Sequence, residues 1–352
     1  LVQVASDPQA EVAVRRRAVT LLTYFGPAPS NDLLMELSAD RQPALRAQAV
    51  RLLSMRNNPE FGQQLGRLLA DPDAAVRRLT CEAIVHRQEP LDPQQLIELL
   101  ADSDRFVAFA ARRALESMPV AQWQGAVFNT ADRRSFLQGA TGLLVAAPAP
   151  ALARQVLDRA EPLLAANLSQ DETLDLLRVV QLALLRGQLQ PAEVPQLTRA
   201  LLQLYPTPHI RVNNELVKLL AYLGPPSAAA RFAGQLAADV SEEEKLQIAA
   251  YAPRLKSGWQ TAEKLALLRY YETVRETDGG YSVSAYIENF ARDFFANLTL
   301  AERRQVEPRF DEARIKLQRQ QEGTARLLRV AGFDQAVGPV ERGVGIFRIK
   351  RQ

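Results

Sequence analysis

Four similar segments follow one another at a constant spacing near the start of the chain. They read AVRRRAV at residues 13–19, ALRAQAV at 44–50, AVRRLTC at 75–81 and FVAFAAR at 106–112. Their second position recurs every 31 residues, at Val14, Leu45, Val76 and Val107. An aspartate precedes each segment, at Asp7, Asp40, Asp71 and Asp102. Self-similarity at a fixed period of this length is typical of a stacked-repeat architecture.

Each repeat is predicted to be a helix, a tight turn and a second helix. Leucine-rich segments such as LGRLL at 65–69 supply the first helix, and Asp and Pro interrupt the helix at the turn. The second helix carries apolar residues at helical spacing, as at Val76, Leu79 and Ala83. Because one such hairpin cannot bury its apolar face alone, the period predicts an all-α fold, an α-solenoid. We find no strand-like alternation before residue 335.

The repeated block also resembles a known repeat family. Its pattern, D-x-x-x-x-V-R-x-x-A at a period of about 31 residues, resembles the short HEAT repeats of the bilin-lyase-like class over residues 1–118. The resemblance implies HEAT-like helical hairpins stacked in a superhelix. Scaffolds, lyase subunits, glycosylases and transport adaptors all contain such arrays, so the pattern predicts the fold far better than the function.

Arginine occupies the third position of the first three segments, and two interpretations are open. In one, Arg46 and Arg77 reach the turn aspartate of their own or a neighbouring repeat, and Asp40 and Asp71 are the candidate partners. Such arginine–aspartate pairs would follow one another along the stack as a ladder and fix the register in which the repeats stack. In the other, a basic concave stripe attracts phosphates or an acidic partner. The fourth segment has Ala108 in place of the arginine, and no aromatic residue lies between the arginines of the stripe. Both observations favour the ladder over a phosphate-binding stripe. The candidate partner surface consists of Arg15, Arg46, Arg51, Arg77, Arg78 and Arg112.

The remaining chain is also predicted to be helical. Residues 119–150 form a transition that ends in the linker VAAPAPA, residues 151–310 form longer degenerate HEAT-like helices, and residues 311–352 form a charged helix and tail. Gly187 is expected to end one of these helices. Capping boxes are predicted for Ser169 with Glu172, Ser241 with Glu244 and Thr299 with Glu302.

The stretch 246–298 resembles a segment of large multidomain secreted proteins of planctomycetes and related bacteria. The resemblance rests on RLKSGW at 254–259, GGYS at 279–282 and the residues Asn289 and Arg292. We expect Tyr286, Phe290, Phe294 and Leu298 to share a buried helix face. The glycines suit a turn and Asn289 and Arg292 could hold that turn, whereas a small-molecule or partner site is the alternative. The candidate loop site is Trp259, Gly279, Gly280, Ser282, Asn289 and Arg292.

In that family, HEAT repeats commonly lie between a dehydrogenase-like propeller and a C-terminal c-type cytochrome domain. Residues 340–347, VERGVGIF, resemble the lead-in to such a domain, and a frayed basic tail is the alternative. The resemblance implies that this chain is part of a longer polypeptide that is periplasmic or otherwise extracytoplasmic. It also places any haem in an adjoining domain, so no cofactor is expected in this chain.

Composition excludes several kinds of chemistry. Lys and Arg total 43 against 40 Asp and Glu, a smaller surplus than a phosphate-tracking protein usually has. The single cysteine, Cys81, permits no internal disulfide, and the two histidines, His86 and His209, lie far apart. Cys81 is expected to be a small core residue. No apolar run is long enough for a membrane span.

We find no nucleotide-binding, metalloprotease or hydrolase motif either. The sequence therefore predicts a non-catalytic scaffold or spacer that contacts proteins or adjoining domains. A nucleic-acid-binding protein with an Arg-rich concave face is the alternative, and a bilin-lyase-like enzyme is a second one.

Overall fold

The computed structural model describes residues 1–306 apart from 57, 89–90 and 276–279. The chain divides into two compact units, Leu1–Gly258 and Trp259–Gln352. The tail at 311–352, with its expected lead-in to a haem domain, lies outside the described residues.

The four predicted repeats are four helical hairpins. Aspartate ends the first helix of a repeat because its side chain bonds to the backbone two residues on, and the second helix begins soon afterwards. The first helices are α1 (Val2–Ser6), α3 (Asn31–Ser38), α5 (Pro59–Leu69) and α7 (Pro93–Leu99), and the second helices are α2 (Val12–Phe25), α4 (Pro43–Ser54), α6 (Ala74–Arg87) and α8 (Arg105–Glu116).

Sequence signals at the helix starts explain where these elements begin. Proline stands in the first turn of α4, α5 and α7, where a missing N–H costs nothing. Asp73, Asp92 and Asp104 accept backbone N–H groups as N-caps of α6, α7 and α8. These helices therefore start at a proline that lacks an N–H group or at a residue whose side chain accepts a free backbone donor.

The same pairing continues through the rest of the first unit. Helices α9 (Gln124–Asn129), α10 (Arg133–Ala146), α11 (Pro150–Ala160), α12 (Gln170–Arg186), α13 (Pro195–Leu204), α14 (Ile210–Leu223), α15 (Ser227–Ala237) and α16 (Glu242–Tyr251) follow in order. Short 3₁₀ turns occupy Val120–Gln122, Glu161–Ala165, Pro191–Glu193 and Ala252–Arg254.

The even-numbered helices form one layer from α2 to α16. Each packs on the next, α2 on α4, α4 on α6 and so on to α14 on α16. Their small and branched residues meet at the core, for example Val76, Ala111 and Leu143, all fully buried. No residue of the described ranges is in a β-strand, and the fold is the α-solenoid that the period predicts.

The stack runs without a break across residues 119–150, which sequence analysis treats as a transition. Trp123 and Phe136 are buried within it. Helix α10 packs against α8 on one side and α12 on the other. The division that the structure shows lies after Gly258.

The helix ends confirm most of the predicted caps. Ser169 and Glu172 form a complete capping box. Ser241 caps the N–H of Glu244, but the Glu244 carboxylate accepts from Asn213 instead of completing the box. At Thr299 and Glu302 both halves of the box are present.

The second unit contains α17 (Thr261–Arg275), α18 (Gly280–Phe295) and a further helical stretch at 300–306. Phe294 and Leu298 are buried as expected. The prediction for Tyr286 is wrong, because its side chain is 64% exposed and the neighbouring Ile287 is buried instead. The buried face of α18 is therefore shifted by one residue near the start of the helix.

Candidate functional site on the second-helix face

Three arginine–aspartate pairs connect successive repeats. Arg15 Nη2 donates to Asp40 Oδ2 at 2.5 Å. Arg46 donates through Nε and Nη2 to the two carboxylate oxygens of Asp71 at 2.7 and 2.6 Å. Arg77 pairs in the same bidentate way with Asp102, at 2.8 and 3.1 Å. We call these three pairs the ladder.

The ladder joins each second helix to two turns. Arg46 Nη1 also donates to the carbonyl oxygen of Asp40 at 2.9 Å, so the carboxylate comes from the next repeat and the carbonyl from its own. Of the sequence interpretations, the pairing with a neighbouring repeat is confirmed. Pairing of Arg46 with the Asp40 carboxylate, and of Arg77 with that of Asp71, is wrong, because the arginine one repeat earlier already binds each of these carboxylates.

The charges of the ladder stabilise one another. The hydrogen bond to Asp71 raises the pKa of Arg46 against the effect of burial. Burial alone would raise the pKa of Asp102, but hydrogen bonds from Arg77 and from the Asp104 backbone N–H outweigh it, so this pKa lies below its ordinary value. These pairs are charge-assisted, and their side chains are at most 16% exposed.

The structure therefore divides the candidate partner surface into two groups. Arg15, Arg46 and Arg77 have their guanidinium groups bound within the ladder. Arg51 is exposed, and Arg78 is 43% exposed and lies 3.8 Å from Glu82. Arg112 lies 3.3 Å from Glu116.

An open cleft of about 330 Å³ lies between α6 and α8. Its apolar part is formed by Val85, Phe106 and Phe109, which are 37%, 54% and 53% exposed. Two rings carry guanidinium groups above them, Arg105 at 4.8 Å from the Phe106 centroid and Arg112 at 5.2 Å from that of Phe109. The lining residues are Arg78, Glu82, Val85, Phe106, Phe109, Ala110 and Arg113.

Sequence reasoning missed this cleft, although a signal for it was present. Phe106 occupies the position that is Ala13, Ala44 and Ala75 in the other three repeats. Because small residues suffice there for the stack, a large aromatic residue at this position serves something other than packing of the repeat core.

The two layers of the repeats differ in charge. The exposed side of α2, α4, α6 and α8, which we call the second-helix face, carries Arg16, Arg17, Arg51, Arg78 and Arg113 against the acidic Glu82. The exposed residues of the first helices include Asp32, Glu36, Glu60 and Glu98 against Arg67. The second-helix face is therefore the basic side of the first four repeats.

The candidate loop site in the second unit is only partly described. Trp259 is 8% exposed and packs edge-on against Phe294, with 5.3 Å between ring centroids. Arg292 Nη2 donates to Asn289 Oδ1 at 2.7 Å on the exposed side of α18, so these two side chains contact each other. Gly279 lies outside the described residues, and Gly280 and Ser282 are described only as part of the backbone of α18.

Other potentially reactive groups are dispersed. Cys81 is fully buried, as expected, and burial raises the pKa of its thiol to about 12. Across the described part of the chain, His, Cys, Asp and Glu side chains nowhere gather in threes as a metal site would need. Among the same residues, no helix combines the length and the apolar character of a membrane span.

Comparison with known proteins finds a family match for part of the chain. Residues 31–116 match the HEAT repeats family, and no curated protein matches the chain in sequence. The chain is similar to an engineered protein of known crystal structure, at 13% identity over 84% of this chain and 97% of that chain, with a TM-score of 0.36. It is also similar to human deoxyhypusine hydroxylase in complex with glycerol, at 15% identity over 83% and 94% of the two chains, with a TM-score of 0.28.

Proposed function

We propose that this chain is a non-catalytic helical-repeat scaffold that binds another protein or an adjoining domain through its second-helix face. HEAT repeats generally mediate protein contacts, and solenoids present extended surfaces because each repeat contacts only its neighbours. The observation that carries the proposal is the cleft between α6 and α8. It leaves two phenylalanines about half exposed where the stack does not need them, and exposed apolar groups rimmed by charge mark interaction sites.

The ladder supports a protein partner over a nucleic acid. It holds three of the six candidate arginines against buried aspartates, which reduces the charge available for phosphates. Glu82 also lines the cleft, so its rim carries mixed charge and is not the uniformly basic groove that a continuous phosphate backbone follows.

More specifically, we propose that the chain is a spacer between a dehydrogenase module and a c-type cytochrome module of an extracytoplasmic bacterial protein. It is supported by the sequence resemblance at 246–298 and 340–347, with haem carried by the adjoining module. A reading frame with a C-x-x-C-H motif soon after Gln352 is expected, and a stop codon there would contradict the spacer role.

A photo-crosslinking amino acid tests which face binds. It is placed at Arg51 or Phe109 on the second-helix face, and at Glu36 or Glu98 on the first helices as the matched control, in cells that produce the protein. We expect protein adducts at the first two positions and few at the controls. Equal labelling of both faces, or none at Arg51 and Phe109, would exclude the second-helix face as the binding surface.

A further inference from the structure

We propose that the cleft between α6 and α8 binds an acidic segment of a partner protein, which inserts an apolar side chain between Val85, Phe106 and Phe109. The inference rests on the proposed function and deepens it, since it gives the chemistry of the partner. Three observations lead to it: the apolar walls, the charge around them and the weak pairing of that charge.

The apolar walls are suited to one bulky side chain. Val85 comes from α6 and the two phenylalanines from α8, so the cleft lies across the junction of two repeats. A cleft of about 330 Å³ admits a leucine or phenylalanine side chain together with its backbone. Burial of these exposed rings supplies the affinity, since anchors of interfaces are usually aromatic or aliphatic groups in pockets.

The surrounding charge selects an acidic segment. Arg78 and Arg113 line the cleft, Arg105 is exposed at the start of α8, and Arg51 is exposed on α4, which packs against α6. A basic segment would be repelled by the same groups, and complementary charge gives specificity and a fast association rate.

Of the two arginines that line the cleft, Arg78 can change partners at low cost and Arg113 shares its carboxylate with a second guanidinium group. Arg78 and Glu82 are 3.8 Å apart with both side chains about half exposed, which is a weak surface pair. Arg113 shares Glu116 with Arg112, so one carboxylate serves two guanidinium groups. A carboxylate of the partner would complete the pairing of Arg78 or Arg113, whereas the ladder arginines have no such capacity.

Aromatic rings beside arginines could also stack nucleic-acid bases, and the geometry argues against it here. Arg105 and Arg112 already lie over the Phe106 and Phe109 rings, so one face of each ring is covered. Stacking platforms for single strands present open ring faces along a uniformly basic groove, and Glu82 interrupts this one.

The test uses the full chain and defined probes. A fluorescein-labelled synthetic peptide rich in Asp and Glu with a central Leu-Phe pair is titrated with the protein and followed by anisotropy. A second peptide has Ser in place of Leu-Phe at the same charge, and a labelled single-stranded oligonucleotide is the third probe. We expect the Leu-Phe peptide to bind about tenfold or more tighter than the Ser peptide, as removal of one good anchor predicts.

Two pairs of variants locate the binding. The double variant Phe106→Ser, Phe109→Ser should bind the Leu-Phe peptide no more tightly than the Ser peptide. The variant Tyr24→Ser, at a 73% exposed aromatic residue in another repeat, should still prefer the Leu-Phe peptide. Arg78→Glu with Arg113→Glu should weaken the acidic peptide by about tenfold or more, whereas Arg67→Glu on the first-helix layer should not. All these side chains are at least partly exposed, and circular dichroism melting checks that each variant folds.

The outcomes separate this inference from the proposed function. Equal binding of the two peptides, or a Phe106→Ser, Phe109→Ser variant that binds like the parent, overturns the anchored acidic segment. Tighter binding of the oligonucleotide with the same arginine dependence makes the surface a nucleic-acid site instead. If neither peptide binds while photo-crosslinking still gives protein adducts at positions 51 and 109, the scaffold role is supported and the acidic partner is rejected.

Discussion

The guanidinium of Arg46 contacts two turns at once, through the Asp71 carboxylate of the next repeat and the Asp40 carbonyl of its own. We expect Arg46→Ala to lower the free energy of unfolding by about 1–3 kcal/mol, because it leaves a buried carboxylate and a carbonyl without their donor. Urea denaturation measures the loss. Arg51→Ala, one turn further along the same helix at an exposed site, is the control and should change stability by less than about 0.5 kcal/mol. Equal losses in the two variants would mean that the ladder does not hold the stack.

Glu302 in the second unit gives a prediction on pH. Its carboxylate accepts from the Thr299 backbone N–H at 2.8 Å and from Lys264 Nζ at 3.0 and 3.1 Å. The bond from Thr299, aided by Lys264, lowers the pKa of Glu302 from 4.5 to about 2 against the effect of burial. Because the folded state lowers this pKa, the stabilisation is complete above the unfolded value and is lost as pH falls from about 4.5 towards 2.

The variant Glu302→Gln should therefore be less stable than the parent by about 1–3 kcal/mol at neutral pH, with the difference shrinking towards pH 2. Fluorescence of Trp259 in a Trp123→Phe background reports unfolding of the second unit. Glu272→Gln, two turns further along α17 from Lys264, is the control and should change the stability by less than about 0.5 kcal/mol at neutral pH. A Glu302→Gln difference that stays constant between pH 7 and 2 would rule out this ion pair as its source.

At the scale of helices, the end of the ladder shows what a repeat pattern can predict. In each pair of the ladder the aspartate lies 25 positions after the arginine, so a fourth pair would join positions 108 and 133. These positions are occupied by Ala108 and Arg133, so the arginine and the aspartate of the fourth pair are both replaced. The sequence pattern was sufficient to predict the hairpins, because they depend on local spacing, and to suggest pairing of the arginines with turn aspartates. It could not tell which repeat supplies each carboxylate, because that depends on how the hairpins stack.

The cleft and the face of α18 could not be predicted in the same way. Exposure of Phe106 depends on how far neighbouring helices reach, and a helical period alone treats every apolar residue as core. Tyr286 fails for the same reason, since a shift of one residue moves a side chain by 100° around the helix. The pattern identifies which residues are apolar, and packing decides which of them are covered.

The prediction that Gly187 closes helix α12 is confirmed, and packing explains why the residue is a glycine. Its φ is −80°, an ordinary value, and the left-handed residue is the following Gln188. A Cβ at Gly187 would overlap the Cβ of Ala153 on α11, so the glycine allows the two helices to approach. We expect Gly187→Ala to cost about 1–3 kcal/mol, as overpacking does.

Gly234 in α15 is the matched control for this prediction. It lies within a helix with nothing within 4 Å of an added Cβ. Gly234→Ala should stabilise the protein by about 0.5–1 kcal/mol through helix propensity. Thermal unfolding of the two variants beside the parent should move in opposite directions, and a Gly187→Ala protein as stable as the parent would show that α11 and α12 tolerate a wider separation.

At the scale of the whole chain, sequence and structure divide the molecule at different places. Sequence composition changes near residue 118, where the 31-residue period stops, whereas the core continues to Gly258. A period reports which repeats are alike, and a core depends only on whether neighbouring helices bury one another. The division after Gly258 could therefore not be read from the repeat pattern.

The stabilities of two fragments test which of these boundaries separates independently folding parts. The fragment 1–258 keeps every helix of the first compact unit, and we expect it to unfold cooperatively with its helical circular dichroism intact. The fragment 1–118 ends just after α8 and loses α10 together with the buried Trp123, so α8 loses the helix that packs against it on that side. Solenoid stability grows with each interface between neighbours, and the shorter fragment should therefore unfold at lower urea and bind a hydrophobic dye. If 1–118 is as stable as 1–258 and binds no dye, the first four repeats are a domain of their own, and the boundary near residue 118 is a physical one.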